Sequence, residues 1–389
     1  MWQESGDPPK GEKPAALRTG LTTGSCATAC CVAAAMNLLS QQSPHIVSIT
    51  LPSSKARKTK TVELVINDYQ VIDNGVRTNT TKDAGDDPDV THGATVFVEL
   101  KLTPQLDIQF KAASGVGTVT RDGLLLDVGE PAINPVPRKM MIDNLEKLAQ
   151  EYQYEGGFIV AVGIENGEAI AQKTMNPRLG IVGGLSVLGT TGIVRPFSCA
   201  AWIASIYQGI DVADANGYTH IAASTGNSSE ATIKNHYQLS DMALIEMGDF
   251  AGAVLKHLKK LALNNSKIIN IKKLSICGGF GKISKLAQGH MDLNSRASSI
   301  DFDFLISVAK DLGATSVLCD KIKQSNTSIE ALKHCQNHQI DLAQALCLRA
   351  LNVAQKVIPK SIDVEVMAID RHGQFVASTQ SVINNKDYN

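Results

Sequence analysis

The chain has 389 residues, 37 basic against 38 acidic, for a formal net charge of −1. That balance excludes a nucleic-acid binder by bulk charge, and 5% aromatic residues argue against base-stacking platforms. With 43% hydrophobic residues there is material for packed cores, and this length points to two domains of roughly 100–200 residues each.

Met1–Ala16, rich in Pro, Gly and alternating charge, reads as an unpacked tail. Thr19 to Ser54 carries no Asp, Glu, Lys or Arg, but its apolar part, Ala27–Leu39, is short and diluted by Thr28 and Asn37. A membrane span takes about 20 mostly apolar residues, so no membrane partner is expected. Lys10, Lys13 and Arg18 mimic the start of a signal peptide, yet the Thr-Thr-Gly-Ser run reads as a helix N-terminus. A helix is predicted over Gly24–Ser40, with Thr22, Thr23 or Ser25 as caps. Strand signals follow at His45–Leu51, Thr61–Asn67 and Ala94–Leu100, then at Thr118–Gly129 with a break at Asp122-Gly123. Pro131, Asn134-Pro135 and Pro137 lead into a helix over Arg138–Glu151. Short strands mixed with helices predict an N-terminal α+β domain over 17–152.

The second half reads as a C-terminal α/β domain over 153–389, with a mostly parallel sheet and the cofactor site. A strand at Gly157–Val162 is followed by a turn at Glu165-Asn166-Gly167 and a return strand through Ile170. Helix Phe197–Tyr207, strand His220–Ser224, helices Ser228–His236 and Phe250–Leu263, and strand Lys273–Cys277 come next. Helices at Ser298–Leu312, Ile329–His334 and Ile340–Val357 precede closing strands at Ile362–Asp370 and Gln374–Ser378. The cysteines (26, 30, 31, 199, 277, 319, 335, 347) include no Cys-x-x-Cys pair and read as reduced, mostly buried thiols of a cytoplasmic protein. Cys26 stands at a helix start, where a thiolate is favoured; with Cys30 and Cys31 it reads instead as part of a packed helix face.

Strands that end in glycine turns place backbone N–H groups at helix N-termini, where α/β proteins bind nucleotide-like cofactors. Three such turns stand out: Gly189-Thr190-Thr191-Gly192, Thr225-Gly226-Asn227 and Gly278-Gly279-Phe280-Gly281. None fits a dinucleotide fingerprint. A Walker A loop would need glycine where Ile276 stands and Ser or Thr where Ile283 stands. The bland alternative is that these glycines only permit tight turns and close packing. The Lys82–His92 loop gathers Asp83, Asp86, Asp87 and Asp89, without the alternating spacing of a calcium loop. Its side chains either cap their own backbone or supply a proton acceptor, and no protein metal site is expected. Arg138, Arg178, Arg195, Lys282 and Lys285 flank Gly- or Pro-rich segments and are candidate anion contacts, or ordinary surface charges.

Several segments together resemble one family, the CbiD-type cobalt-precorrin-5B C(1)-methyltransferases of anaerobic cobalamin biosynthesis. They are Leu17–Gly24, Lys82–Thr91, Gly115–Thr120, Gly129–Arg138 and, most distinctively, Asn176–Val194 with its Gly183-Gly184-Leu185-Ser186-Val187-Leu188-Gly189-Thr190-Thr191-Gly192 run. Gly281–Ala287 with Gly289-His290 continues the likeness, and beyond Asp301 it is loose. The family pattern has a further His where this chain has Asn294, so no catalytic role is carried to that position. The resemblance implies methyl transfer from S-adenosylmethionine to carbon 1 of cobalt-precorrin-5B, giving cobalt-precorrin-6A. Cobalt enters only within the substrate.

On this reading the donor sits against Gly183, Gly184, Gly189, Thr190, Thr191 and Gly192, with Thr225, Gly226, Asn227, Gly278, Gly279 and Gly281 nearby. Asp83, Asp86 and Asp87 are the expected catalytic group, shaping the cleft and orienting or deprotonating the substrate. Arg138, Arg195 and Lys282 are the expected contacts to its carboxylates. Two other classes compete. A non-catalytic tetrapyrrole carrier would need the basic clamps but no adenosyl pocket, and a nicotinamide-dependent reductase is disfavoured by the missing G-x-G-x-x-G.

Overall fold

Thr22 opens α1 (Thr23–Ser40): its hydroxyl oxygen accepts the Ser25 N–H at 3.2 Å, as the sequence predicts. The helix ends where Gln41 turns left-handed and returns its N–H to Asn37 O. The computed structural model describes residues 17–52, 60–264 and 268–380, so the expected tail at Met1–Ala16 lies outside the described residues. Every side chain from Thr23 to Ala35 is buried, and small Ala and Cys residues let α1 approach its neighbours closely. Among the described residues α1 alone is long and apolar enough to cross a membrane, and it forms the centre of a protein core.

Two compact units make up the chain. The first runs to Thr120 and resumes over Leu125–Ser198; the second takes Arg121–Leu124 and everything from Cys199 onward. In the first unit β1 (Ile46–Leu51) and β2 (Lys60–Val65) pair antiparallel. Then come β3 (Asp68–Ile72), β4 (Gly75–Thr81), β5 (Thr95–Thr103), β6 (Ile108–Ala112), α2 (Pro135–Glu151) and β7 (Gly157–Ile164). The last five strands form one sheet in the order β3-β4-β5-β7-β6, antiparallel except for β7 against β6. Helix α1 packs on β4, β5 and α2. The expected boundary after Tyr152 therefore falls inside this unit, because β7 is hydrogen-bonded on both edges by first-unit strands.

Two local expectations are corrected. Only Thr118–Val119 is a strand in the 118–129 region, since Gly123 and Gly129 turn the chain at φ +106° and +93°. In place of a return strand through Ile170 there is a short helix, Gly167–Ala171. Asn166, left-handed at φ 54°, starts it.

The second unit contains α3 (Cys199–Ala215), β8 (His220–Ser224), α4 (Asn227–Tyr237), β9 (Leu244–Glu246), α5 (Ala251–Ala262), β10 (Lys273–Gly279) and α6 (Phe280–Gln288). It continues with α7 (Phe302–Asp311), α8 (Ser316–Gln324), α9 (Ser328–Asn337), α10 (Leu342–Gln355), β11 (Asp363–Ile369) and β12 (Phe375–Ser378). Its sheet has the order β9-β8-β10-β11-β12, parallel throughout except for β12, which is the mostly parallel α/β sheet the sequence predicts. Alternation along the strands feeds two cores. Ile221, Ala223, Leu274, Ile276, Val364 and Val366 join residues of α3, α5, α6 and α10, while Ala222, Leu244, Cys277 and Met367 pack with Ile233 of α4.

Candidate functional site

In the first unit the motif segments knit into one another. The stretch from Arg18 to Leu21 lies between two others: Gly20–Leu21 pairs antiparallel with Ile193–Val194, and Thr19 bridges Gly85. Leu21 N–H donates to Asp83 O at 2.8 Å and Asp86 N–H to Arg18 O at 3.0 Å. The backbones come so close that a Cβ on Gly20 would lie 2.1 Å from Ala84 C, and one on Gly85 2.2 Å from Arg18 O. A second seam joins Gly115–Val116 to Gly184–Leu185, Thr118–Val119 to Ile181–Val182, and Ile133 to Val187.

The acidic loop is held within the first seam. Arg18 pairs with Asp83 through both terminal guanidinium nitrogens, Nη2 at 3.0 Å, and its backbone N–H donates to Asp86 Oδ2 at 2.6 Å. The Arg18 hydrogen bond, with the Gly85 N–H, holds the Asp83 carboxyl down at about 2. Asp87 Oδ1 accepts the Phe197 N–H at 2.9 Å. Lys82 is buried and held by Asp89 and Thr91. Burial pushes the Asp89 carboxyl up, but the Lys82 charge and the hydrogen bonds outweigh it and the net shift is downward. Asp83 caps its own loop at the Gly85 N–H, as the capping alternative has it, whereas Asp86 and Asp87 hold backbone far along the chain, at Arg18 and Phe197. Among the described residues no group of three or more His, Cys, Asp or Glu is placed to hold a metal ion.

The Gly183–Gly192 run wraps the start of α1. Gly192 O accepts both the Thr22 N–H at 3.1 Å and the Ser25 hydroxyl at 2.7 Å, and Leu188 O accepts the Gly24 N–H. A Cβ on Gly184 would meet Gly115 backbone at 2.3 Å, on Gly189 Thr22 Oγ1 at 2.5 Å, and on Gly192 Leu51 at 2.6 Å. Packing accounts for these three glycines, whereas Gly183 faces open space. Thr191 bonds within its own turn, to Ile193 O, and Thr190 is exposed. Arg138 does not project as a clamp. Its guanidinium donates to Ile133 O at 2.7 Å and Pro131 O at 3.1 Å and pairs with Glu130 at 2.7 Å. Arg195 is exposed. At Cys26 burial pushes the thiol up to about 12, so the packed-face reading stands for this residue.

The other two turns meet in the second unit. From β8 the chain crosses to β9 on one side, and from β10 to β11 on the other, so strand order reverses between β8 and β10. Open parallel sheets bind ligands beyond the carboxyl ends of such strands. Here the ends touch: Thr225 N–H donates to Cys277 O at 3.1 Å, and a Cβ on Gly278 would lie 2.7 Å from the Thr225 methyl. Asn227 starts α4, and Gly279 precedes α6. Gly226 and Gly279 both face open space, while Gly281 packs near Ser328. At the end of β8, the Ser224 hydroxyl is buried without a hydrogen-bond partner. Lys282 pairs with Asp249 and donates to Leu293 O at 3.1 Å, and Asn294 Nδ2 holds the other Asp249 oxygen at 3.1 Å. Lys285 is buried against Leu293 O, and burial lowers its amine from the usual range.

Sequence reasoning missed Ser224, Glu246 and Trp202, which line this strand edge. Ser224 is paired in register with Glu246 of β9, and Met247 and Gly248 both donate their N–H to Ser224 O. Trp202 donates its indole N–H to Glu246 O at 3.2 Å. The signal for Glu246 was available: an acid ending a strand, 20 residues beyond Gly226.

Known proteins match this chain over most of its length. The CbiD family model matches residues 10–196, and the model of the CbiD C-terminal domain matches 292–380. A protein of Marinomonas sp. (strain MWYL1), "Cobalt-precorrin-5B C(1)-methyltransferase", is 63% identical over 99% of both chains. Relatives of the same name from Pseudomonas savastanoi pv. phaseolicola and Burkholderia cenocepacia (strain HI2424) are 57% and 56% identical, covering 94% and 95% of this chain and 95% and 98% of their own. A crystal structure of a "cobalamin biosynthesis protein (cbiD)" from Archaeoglobus fulgidus is 25% identical, covers 68% of this chain and 78% of its own, and has a TM-score of 0.37. With near-complete coverage at these identities, and with the motif segments forming the two seams of the first unit, the chain belongs to the CbiD family.

Proposed function

We propose that this chain is a cobalt-precorrin-5B C(1)-methyltransferase that uses S-adenosylmethionine as donor, and that the donor binds at the carboxyl edge of the second unit's sheet. The relatives named above support the reaction. The single observation that carries the donor site is the reversal of strand order between β8 and β10, where Gly226 and Gly279 face open space and the Ser224 hydroxyl at the end of β8 has no partner. These residues fit an amino-acid carboxylate: the first-turn N–H groups of α4 and α6 carry partial positive charge and Ser224 offers one more donor.

The bound donor supplies an electrophilic methyl group on a sulfonium. What the chain must do is hold both reactants aligned at near-contact distance and keep water away, which can provide most of the acceleration without a protein nucleophile. Asp83, Asp86 and Asp87 act in this reading by fixing the backbone of the first seam, not by moving a proton. Arg195, exposed and beside the seam strand Ile193–Val194, is the candidate contact to acceptor carboxylates. Lys282 holds Asp249 in place at the donor edge. Eight unpaired cysteines, seven of them buried, support a cytoplasmic setting.

Calorimetric titration with S-adenosylhomocysteine, then incubation with the macrocycle and methyl-labelled donor, tests the reading. Saturable binding and transfer of one labelled methyl group are expected. Macrocycle binding with no adenosyl binding would leave the carrier alternative in its place.

A further inference from the structure

The edge strand β9 ends in Glu246, which shares the α4-side face of the sheet with Ser224, its register partner. Just past it, Gly248 takes φ +56°. A Cβ there would lie 3.3 Å from the Trp202 ring, so the indole is laid against this turn. Its N–H on Glu246 O holds the ring, yet Trp202 stays 44% exposed. A large aromatic side chain, pinned by a hydrogen bond and still open to solvent, has its ordering entropy already spent. It presents a ready surface for a flat heteroaromatic ring. A carboxylate at the end of the strand next to the glycine turn is the group that accepts a ribose diol in parallel sheets, about 20 residues past that turn.

We propose that Glu246 and Trp202 form the adenosine subsite of the donor pocket, Glu246 accepting the ribose hydroxyls and Trp202 stacking on the adenine. The inference rests on the donor reading above and adds two residues to which no role has been assigned. The order along the edge is consistent with one ligand: helix starts and Ser224 for the carboxylate, Glu246 for the sugar, Trp202 for the base.

The chain has two tryptophans, so in a Trp2→Phe background Trp202 is the sole indole reporter. Titration with S-adenosylhomocysteine is expected to quench its fluorescence saturably, with the midpoint found by calorimetry. Trp202→Leu should weaken binding by about tenfold or more, while Trp202→Phe, which keeps a stacking ring, should retain most of it. Glu246→Gln should weaken S-adenosylhomocysteine by about tenfold but leave unchanged the affinity for its 2′,3′-dideoxyribose analogue. Retention of thermal unfolding in Trp202→Phe and Glu246→Gln keeps the comparison valid if Trp202→Leu fails to fold. Calorimetric binding of undiminished affinity in the folded variants, with no fluorescence change, overturns the subsite and leaves the donor reading standing. No calorimetric binding to the unsubstituted chain overturns both.

Discussion

Asp87 Oδ1 accepts the backbone N–H of Phe197 at 2.9 Å, tying the acidic loop to a residue 110 positions away. Phe197 sits at φ +55° with 64% of its surface exposed, a left-handed conformation that bulky residues rarely adopt. A carboxylate that acts only through the backbone it holds can be told from one that moves a proton. Asp87→Asn keeps a carbonyl acceptor and should retain most of kcat, whereas Asp87→Ala should lose it by about tenfold or more. Equal losses in both variants would restore the acid–base reading. Phe197→Gly relieves roughly 1–2 kcal/mol of backbone strain, so its Tm should not fall below that of the parent.

Arg138→Ala should behave as a structural lesion. It leaves two carbonyls, Ile133 O and Pro131 O, without their guanidinium donor, and Glu130 without its cation. Such half-buried losses cost about 1–3 kcal/mol, and a Lys at this position cannot reproduce the fork. The expected result is a lowered Tm in both Arg138→Ala and Arg138→Lys, with any loss of affinity shared equally between macrocycle and S-adenosylhomocysteine. A stable Ala variant that loses only the macrocycle would return Arg138 to the substrate.

Helix α1 was legible because Thr22 caps it and small residues follow, and the parallel sheet because strand, glycine turn and helix recur. The β3–β4 hairpin was missed although its turn carries Asn74-Gly75, with Asn74 at φ +56°, because polar residues dilute the strand pattern. The division after Tyr152 failed for a topological reason: β7 belongs between β5 and β6, a pairing that strand order along the chain does not reveal. The glycines divide the same way. Local sequence marks Gly184, Gly189, Gly226 and Gly279 alike, and only the neighbouring backbone tells a packing glycine from an open one.

A pH dependence follows from His220. Its Nε2 lies 2.7 Å from Ser275 Oγ, which also bonds Glu365, and Tyr237, Lys273 and Asp363 complete its surroundings. Burial, reinforced by Lys273, lowers its pKa below 6.5 against the opposing pull of Glu365 and Asp363. The folded pKa lies below the unfolded one, so as pH falls the unfolded chain takes up the proton first. The contribution is complete above about 6.5 and is lost as pH falls from there through the folded value. Between pH ~7.5 and ~5.5 the parent should therefore lose more Tm than His220→Gln; matched slopes would remove His220 from the account.

The two classes of glycine give the sharpest test of where the donor lies. Gly226 is extended and Gly279 sits at φ −58°, and a Cβ on either meets nothing within 4 Å. Gly226→Ala and Gly279→Ala should therefore fold with an unchanged Tm, yet lose S-adenosylhomocysteine affinity about tenfold or more, because the added methyl occupies the space the ligand backbone needs. Gly189→Ala is the contrast. There the residue is at φ +138° and the Cβ would crowd Thr22 Oγ1 at 2.5 Å, disturbing the cap of α1. Its expected signature is a lowered Tm from strain and a weakened cap, about 1–3 kcal/mol together. Any folded fraction should retain its affinity for S-adenosylhomocysteine. The opposite pattern, with intact binding in Gly226→Ala and Gly279→Ala and a folded Gly189→Ala that no longer binds, would move the donor to the Gly183–Gly192 run of the first unit.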